Sequence, residues 1–137
     1  MQKSLNYNPM WMRIMYLYTL IVGGIAGLLM LIIPDQFVAI MNIESIDPVT
    51  FGTTGSFFVA TAFVSALALK KPLKFAPILF VQIIYKVLWL IAVFLPLMLS
   101  GSTNMYSIIF AVIYLTFIAG DFLAVPWAYM LNKTEGP

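Results

Sequence analysis

Four stretches of this sequence run for about twenty residues with almost no charge, long enough to cross the roughly 30 Å hydrocarbon core of a bilayer at about 1.5 Å of rise per residue. They fall near residues 12–33, 50–69, 75–99 and 105–126, the last with a continuation toward Met130 past Pro126. Composition points the same way. The 137 residues are 63% hydrophobic and 9% charged, against about 45–50% apolar and about 25% charged in an ordinary soluble domain. Seven Lys and Arg and five Asp and Glu cannot cover the outside of a soluble fold of this size. A soluble globular enzyme, a disordered chain and a nucleic-acid binder are therefore excluded. The chain has no Cys, which removes disulfides and thiolate metal sites, and no His, which removes the commonest catalytic base and metal ligand. No metal is expected.

The connections set the architecture. KKPLK and SGSTN are tight links, and short links make sequential helices antiparallel neighbours. The expected fold is all-α: an integral membrane up-down four-helix bundle, one membrane domain over residues 1–137. Between the first two spans, DQFVAIMNIESIDPV sets Phe37, Ile40, Met41 and Glu44 at helical spacing but is too short to cross. It reads as a short interfacial helix followed by a turn at Asp47-Pro48. The apolar run of the first span is too long for a cleaved signal peptide and no A-x-A site follows it, so it is read as retained.

Basic residues fix the expected orientation. Lys3 and Arg13 precede the first span, Lys70, Lys71 and Lys74 separate the second and third, and Lys133 follows the fourth. The opposite loops carry no Lys or Arg. Both termini are expected to be cytoplasmic, in a multi-pass protein of the cell's inner membrane. Tyr7, Trp11, Trp127 and Tyr129 stand where interfacial aromatics belong.

Lipid supplies no hydrophobic drive between helices, so small residues must let backbones approach. Gly23 and Gly27 take the G-x-x-x-G spacing, Gly52, Ser56 and Ala60 recur every fourth residue, and Thr116, Gly120 and Ala124 do the same. These stripes serve packing within one chain or, alternatively, a homo-oligomer.

Lys86 and Asp121 are the ionisable residues inside the spans, and each costs about 2.5–3.5 kcal/mol at mid-helix, so neither is placed idly. Lys86 lies about 15 Å from the basic-turn side and Asp121 about 9 Å from it. A Lys leaning toward that side spans the difference, so a direct Lys86–Asp121 ion pair is expected, serving to fix helix register, to anchor a ligand cavity or to relay a proton or ion. Arg13 is the competing partner for Asp121. At 100° per residue, Gln82, Tyr85, Lys86 and Trp89 share one face of the third span. Ser107, Phe110, Tyr114, Phe117 and Asp121 share one face of the fourth. Thr54, Thr61 and Ser65 share a stripe on the second, and Tyr16 and Thr19 lie beside Gly23 on the first. The candidate ligand-binding residues are Lys86, Asp121, Gln82, Tyr85, Trp89 and Tyr114, around a polar-aromatic cavity with its mouth on the cytoplasmic side. No catalytic residue is assigned.

The first span with its terminating Pro-Asp (GGIAGLLMLIIPDQF), the amphipathic link, the Gly/Ser-rich second span (FGTTGSFFVATAF), the basic turn and the two further spans resemble the DoxX-like small membrane proteins. The resemblance covers about 120 residues and rests on spacing and composition. It implies a four-helix bundle linked to membrane oxidoreductase systems. No catalytic motif of that family transfers to positions here. Four functions are weighed: an accessory or lipophilic-ligand-binding subunit, its ligand quinone- or lipid-like; a small transporter or proton-coupled exchanger; a membrane enzyme on a lipid-like substrate, with Asp121 as acid or base; and a scaffold or assembly subunit with no ligand. The first fits best. Expected partners are the lipid bilayer, a second copy of the chain or a membrane oxidoreductase complex.

Overall fold

The computed structural model describes residues 6–132. Lys3 and Lys133, used above for orientation, lie outside the described residues. Four helices are long and apolar enough to cross a membrane: α1 (Pro9–Ile32), α3 (Pro48–Ala68), α4 (Pro77–Leu99) and α5 (Met105–Ala124). Two short helices accompany them, α2 (Pro34–Ile40) between the first two spans and α6 (Trp127–Leu131) after the last. This is the expected all-α bundle.

The helix ends follow from local chemistry. The Asn8 side chain accepts the Trp11 N–H at 3.0 Å, with Pro9 at the first helical position. Asp47 accepts the Thr50 N–H at 2.9 Å and the Thr50 hydroxyl as well, with Pro48 next in line. Asn104 and Ser107 satisfy each other's backbone N–H groups in a capping box at the start of α5. Pro77 opens α4 two residues later than its apolar run. Two stops use the left-handed region: Asn42 (φ 53°) after α2 and Gly101 (φ 68°) after α4. At each, the following amide reaches back to close the last turn, Ile43 N to Val38 O at 3.0 Å and Ser102 N to Leu97 O at 2.9 Å. The fourth span does not continue past Pro126. Val125 is extended (φ −60°, ψ 125°) because the proline ring crowds the residue before it, so α5 stops at Ala124 and α6 starts afresh.

Two spans contain a wide, π-type turn that the sequence reading did not foresee. In α1 it covers Thr19–Gly23, where the Gly24 N–H reaches the Thr19 carbonyl five residues back. In α4 it covers Leu90–Phe94, where the Leu95 N–H reaches Leu90 in the same way. The second has a sequence cause: Pro96 offers no N–H to Ala92 and its ring crowds that carbonyl, and widening the preceding turn relieves the clash.

α1 packs closely on α3, and on α5 over Pro9–Tyr18, and α4 packs closely on α5, whereas α3 and α4, and the rest of α1 and α5, touch only sparsely. Consecutive helices are therefore not equally close neighbours, contrary to the simplest up-down expectation. The α1–α3 seam is the tightest, and Gly27 and Gly55 meet in it. Gly55, rather than the Gly52, Ser56, Ala60 stripe, serves α3 here. Ser56 and Ala60 are exposed, and nothing lies within 4 Å of where a Gly52 Cβ would stand. Gly120 abuts Met15 of α1, so the stripes on the first and fourth spans are used within the chain.

Buried apolar side chains form two clusters at different depths. One, toward the basic turn, includes Met12, Met15, Tyr16, Leu79 and Phe117. The other, toward the opposite end, includes Met30, Phe37, Phe51, Phe58, Phe110 and Tyr114, with Phe37 bringing α2 down onto the bundle. Two bonds from α1 hold the basic turn: Tyr16 Oη donates to Pro72 O at 2.7 Å and Arg13 Nε to Leu69 O at 3.1 Å.

Candidate functional site

A cavity of about 50 Å³ lies between the two apolar clusters and takes side chains from all four spans. α1 contributes Thr19, Val22, Gly23 and Ala26, so its wide turn forms one wall. α3 contributes Phe58 and Thr61, and α4 contributes Gln82, Tyr85 and Lys86. α5 contributes Phe110, Ile113, Tyr114 and Phe117. Steps of three and four residues put these on one face of each helix, the reason the polar positions converge.

The polar part of the wall is a directed chain of hydrogen bonds. Lys86 Nζ donates to Gln82 Oε1 at 3.0 Å. Gln82 Nε2 donates to Thr19 Oγ1 at 3.2 Å, and Thr19 Oγ1 donates to the Met15 carbonyl at 2.9 Å. All three side chains are at most 1% exposed. The Lys86 ammonium also sits over aromatic faces, 4.2 Å from the Phe117 ring centre, 4.3 Å from Tyr85 and 5.6 Å from Tyr114. Such faces attract a desolvated cation by about 2 kcal/mol. An ammonium has three N–H donors and Gln82 takes one of them.

Of the six residues expected at the site, Lys86, Gln82, Tyr85 and Tyr114 line the cavity and Asp121 and Trp89 do not. Trp89 stands behind it, edge-on to Tyr114 at 5.1 Å and 6.5 Å from Phe110. The direct Lys86–Asp121 ion pair is not made. Lys86 does lean toward the basic-turn side, but Gln82, one helical turn away on the same face, takes its donor, and three rings hold the ammonium there. Asp121 is fully buried and neither carboxyl oxygen has a hydrogen-bond partner. Arg13 does not pair with it either; its Nε is engaged on Leu69 O. Ser65 Oγ is likewise buried without a partner. The expected cytoplasmic mouth is absent as well. Asp121, Ser65 and Arg13 are not in the cavity wall, and the apolar cluster of Met12, Met15, Tyr16 and Leu79 fills that end.

Val22, Ala26, Phe58 and Ile113 were not singled out in the sequence. Phe58 was within reach, because it sits one turn from Thr54 and Thr61 on a stripe already recognised. Val22 and Ala26 were within reach too, because they stand three and seven residues past Thr19, on the face that Thr19 and Gly23 already define. Among the described residues no group of three or more His, Cys, Asp or Glu converges. Compared with known protein families, curated proteins and solved structures, the chain matches none; what distinguishes the molecule is its architecture, a small four-span membrane bundle with a buried, lysine-bearing cavity.

Proposed function

We propose that this small integral membrane protein binds a lipophilic molecule by a small anionic or carbonyl head set against Lys86, and that it acts as a ligand-binding or accessory subunit of one membrane domain. The observation that carries this reading is a buried ammonium with spare donors facing an internal cavity. A desolvated cation of this kind gains most from an acceptor brought to it. The volume narrows the choice of head. A cavity of about 150 Å³ takes a benzene ring, and this one is about 50 Å³. A carboxyl or keto group fits as it stands, whereas a quinone ring requires the helices to part.

The test uses Trp89 as reporter. Trp11→Phe and Trp127→Phe leave it as the chain's single tryptophan, beside Tyr114 and close to the cavity. In lipid nanodiscs, a long-chain fatty acid brominated next to its carboxyl group quenches Trp89 saturably. Lys86→Met weakens that binding by about 10- to 100-fold, the worth of a charge-assisted hydrogen bond, while Lys74→Met leaves it unchanged. Quenching that survives Lys86→Met unaltered overturns the reading.

A second reading, proton-coupled exchange, draws on Asp121, whose buried oxygens lack partners. Intramembrane carboxyls of this kind belong to proton paths. Proteoliposome uptake that Asp121→Asn abolishes, with Trp89 quenching retained, favours it; uptake indifferent to Asp121→Asn removes it.

A further inference from the structure

The cavity is closed at both ends. The Met12, Met15, Tyr16 and Leu79 cluster fills the basic-turn side, and the Met30, Phe37, Phe51 and Phe58 cluster fills the other. Its opening is in the side of the bundle. Most of the wall is buried, and five lining residues are half-exposed: Val22, Gly23 and Ala26 on α1, Ile113 on α5 and Tyr85 on α4. A residue that lines a cavity and also reaches the surface marks where the two meet. Tyr85 is covered from the α3 side by Phe57, edge to face with ring centres 4.9 Å apart. The other four flank the seam between α1 and α5. Among the described residues, no hydrogen bond or ring pair crosses that seam beyond Tyr18.

The course of α1 explains the opening. Toward the basic turn it is fastened to α5. Trp11 Nε1 donates to Gly120 O at 2.9 Å, the Tyr18 and Thr116 hydroxyls meet at 2.8 Å, and the Tyr18 and Phe117 ring centres are 4.3 Å apart. Past Tyr18 the wide turn begins, and α1 packs on α3 instead. Gly24 and Gly27 allow this: a Cβ on the first would stand 3.3 Å from Ala62 Cβ, and one on the second 2.7 Å from the Gly55 carbonyl oxygen. Drawn onto α3, this part of α1 touches α5 only sparsely. Gly23 leaves the gap clear, since a Cβ there would meet nothing nearer than 3.9 Å. The stacked rings of Phe58 and Phe110, with centres 6.1 Å apart, lie behind it. Leu29, three residues past Ala26, and Tyr106, two turns before Ile113, are half-buried on the same two faces. They continue the gap as an apolar groove away from the basic turn.

We infer that the ligand is a long-chain carboxylic acid seated through this side opening, with its carboxyl group on Lys86 and its acyl chain leaving between Ala26 and Ile113 to lie in the α1–α5 groove. This rests on the binding reading above and adds the ligand class and the place of the tail. The chain runs toward Leu29 and Tyr106, because in the other direction the Tyr18–Thr116 and Trp11–Gly120 bonds hold the seam shut. Val22, Ala26 and Ile113 give the opening an apolar rim that suits methylenes. The depth of Lys86 selects the head. It lies about 14 Å along α4 from Pro77, near mid-membrane. A carboxylic acid crosses hydrocarbon as the neutral acid, and its carbonyl oxygen then accepts from the ammonium. A phosphodiester headgroup stays charged, and dragging it to that depth costs more than one lysine returns.

The unaltered chain in lipid nanodiscs is illuminated with a long-chain fatty acid that carries a photoreactive diazirine at mid-chain, and the adducts are mapped by mass spectrometry of its peptides. Labelling of the lipid-facing Ile84 and Leu88 on α4 measures acid that is merely dissolved in the bilayer. Above that background, adducts collect on α1 between Val22 and Leu29 and on α5 between Tyr106 and Ile113. Unlabelled acid of the same length removes this excess, and Lys86→Met lowers it by about tenfold or more. Gly23→Leu fills the opening from a position where its Cβ has room, and it weakens saturable quenching of Trp89 by the brominated acid by about tenfold. Gly52→Leu, at another glycine with open space around it, leaves that quenching unchanged. If the Lys86-dependent adducts fall on Phe57 and its neighbours instead, or if Gly23→Leu binds as the unaltered chain does, the place of the tail is wrong and the binding reading stands. Saturable, Lys86-dependent quenching by a brominated phospholipid overturns the ligand class. Adducts and quenching that both ignore Lys86→Met overturn this inference together with the reading beneath it.

Discussion

Replacing Gly27 with alanine measures the seam on which the bundle is built. An added Cβ would stand 2.7 Å from the Gly55 carbonyl oxygen, 2.9 Å from Phe58 Cβ and 2.9 Å from Val59 Cγ2, where ordinary contact begins at 3.4 Å. All three atoms belong to α3, and the first two cannot swing aside. The helices must separate instead, and overpacking of this kind costs about 1–3 kcal/mol. Alanine returns up to about 1 kcal/mol by stiffening the helix. The balance is a loss of about 1–2 kcal/mol. Gly52→Ala meets nothing within 4 Å, so it keeps only the gain, about 0.5–1 kcal/mol. Gly55→Ala falls between, because its nearest neighbours, Met30 Cβ at 3.0 Å, Leu31 Cγ at 3.2 Å and the Gly27 carbonyl oxygen at 3.3 Å, stand farther off than those around Gly27. Reversible unfolding in mixed micelles titrated with dodecyl sulfate, followed by far-ultraviolet circular dichroism, ranks the three. A Gly27→Ala protein as stable as Gly52→Ala would refute the close approach of α1 and α3.

Tyr16→Phe deletes the buried hydroxyl that donates to Pro72 O and leaves that carbonyl dry, so the same titration shows a loss of about 1–3 kcal/mol; the exposed Tyr129→Phe shows none. Asp47, outside the spans, is held below the usual carboxylate range by hydrogen bonds from the Thr50 hydroxyl and then the Thr50 N–H. A depressed folded value means the cap contributes above the unfolded value of about 4 and is lost as pH falls through the folded one. Stability therefore declines on acidification below about pH 4, and Asp47→Asn flattens that part of the profile. Orientation is tested in the Cys-free chain. With Lys70, Lys71 and Lys74 inside, Ser102→Cys reacts with an impermeant maleimide added to intact cells and Lys71→Cys reacts only after lysis; the reverse pattern inverts the bundle.

The spans were legible because an apolar run of the right length has one use in lipid; two of their starts were not, because the helices begin at the polar caps Asn8-Pro9 and Asp47-Pro48, two or three residues before the apolar runs near residues 12 and 50. The convergence of Gln82, Tyr85, Lys86 and Tyr114 was legible from 100° steps alone. Two kinds of feature were not. Whether Gly52 or Gly55 packs depends on the partner helix, and both lie in the same short segment. Whether Lys86 reaches Asp121 depends on competition. Sequence gives the span of a lysine side chain, but not that an amide one turn away and three ring faces hold it short. The cavity mouth failed for a related reason: polar residues at the basic-turn side suggested an opening, and the bulk of Met12, Met15 and Leu79 closes it.

The wide turns also bear on how this chain tolerates changes in length. Across the first, the buried positions of α1 step by five, from Thr19 to Gly24, where a regular helix steps by three or four. Each such turn holds one surplus residue without disturbing the helix on either side. Deleting a residue between Leu20 and Val22 would leave an ordinary helix with both of its inner faces still aimed at the core, whereas the same deletion in the second turn would bring the Pro96 ring back against the carbonyl four residues before it. A deletion elsewhere in a span would rotate everything after it by about 100° and turn that face to the lipid.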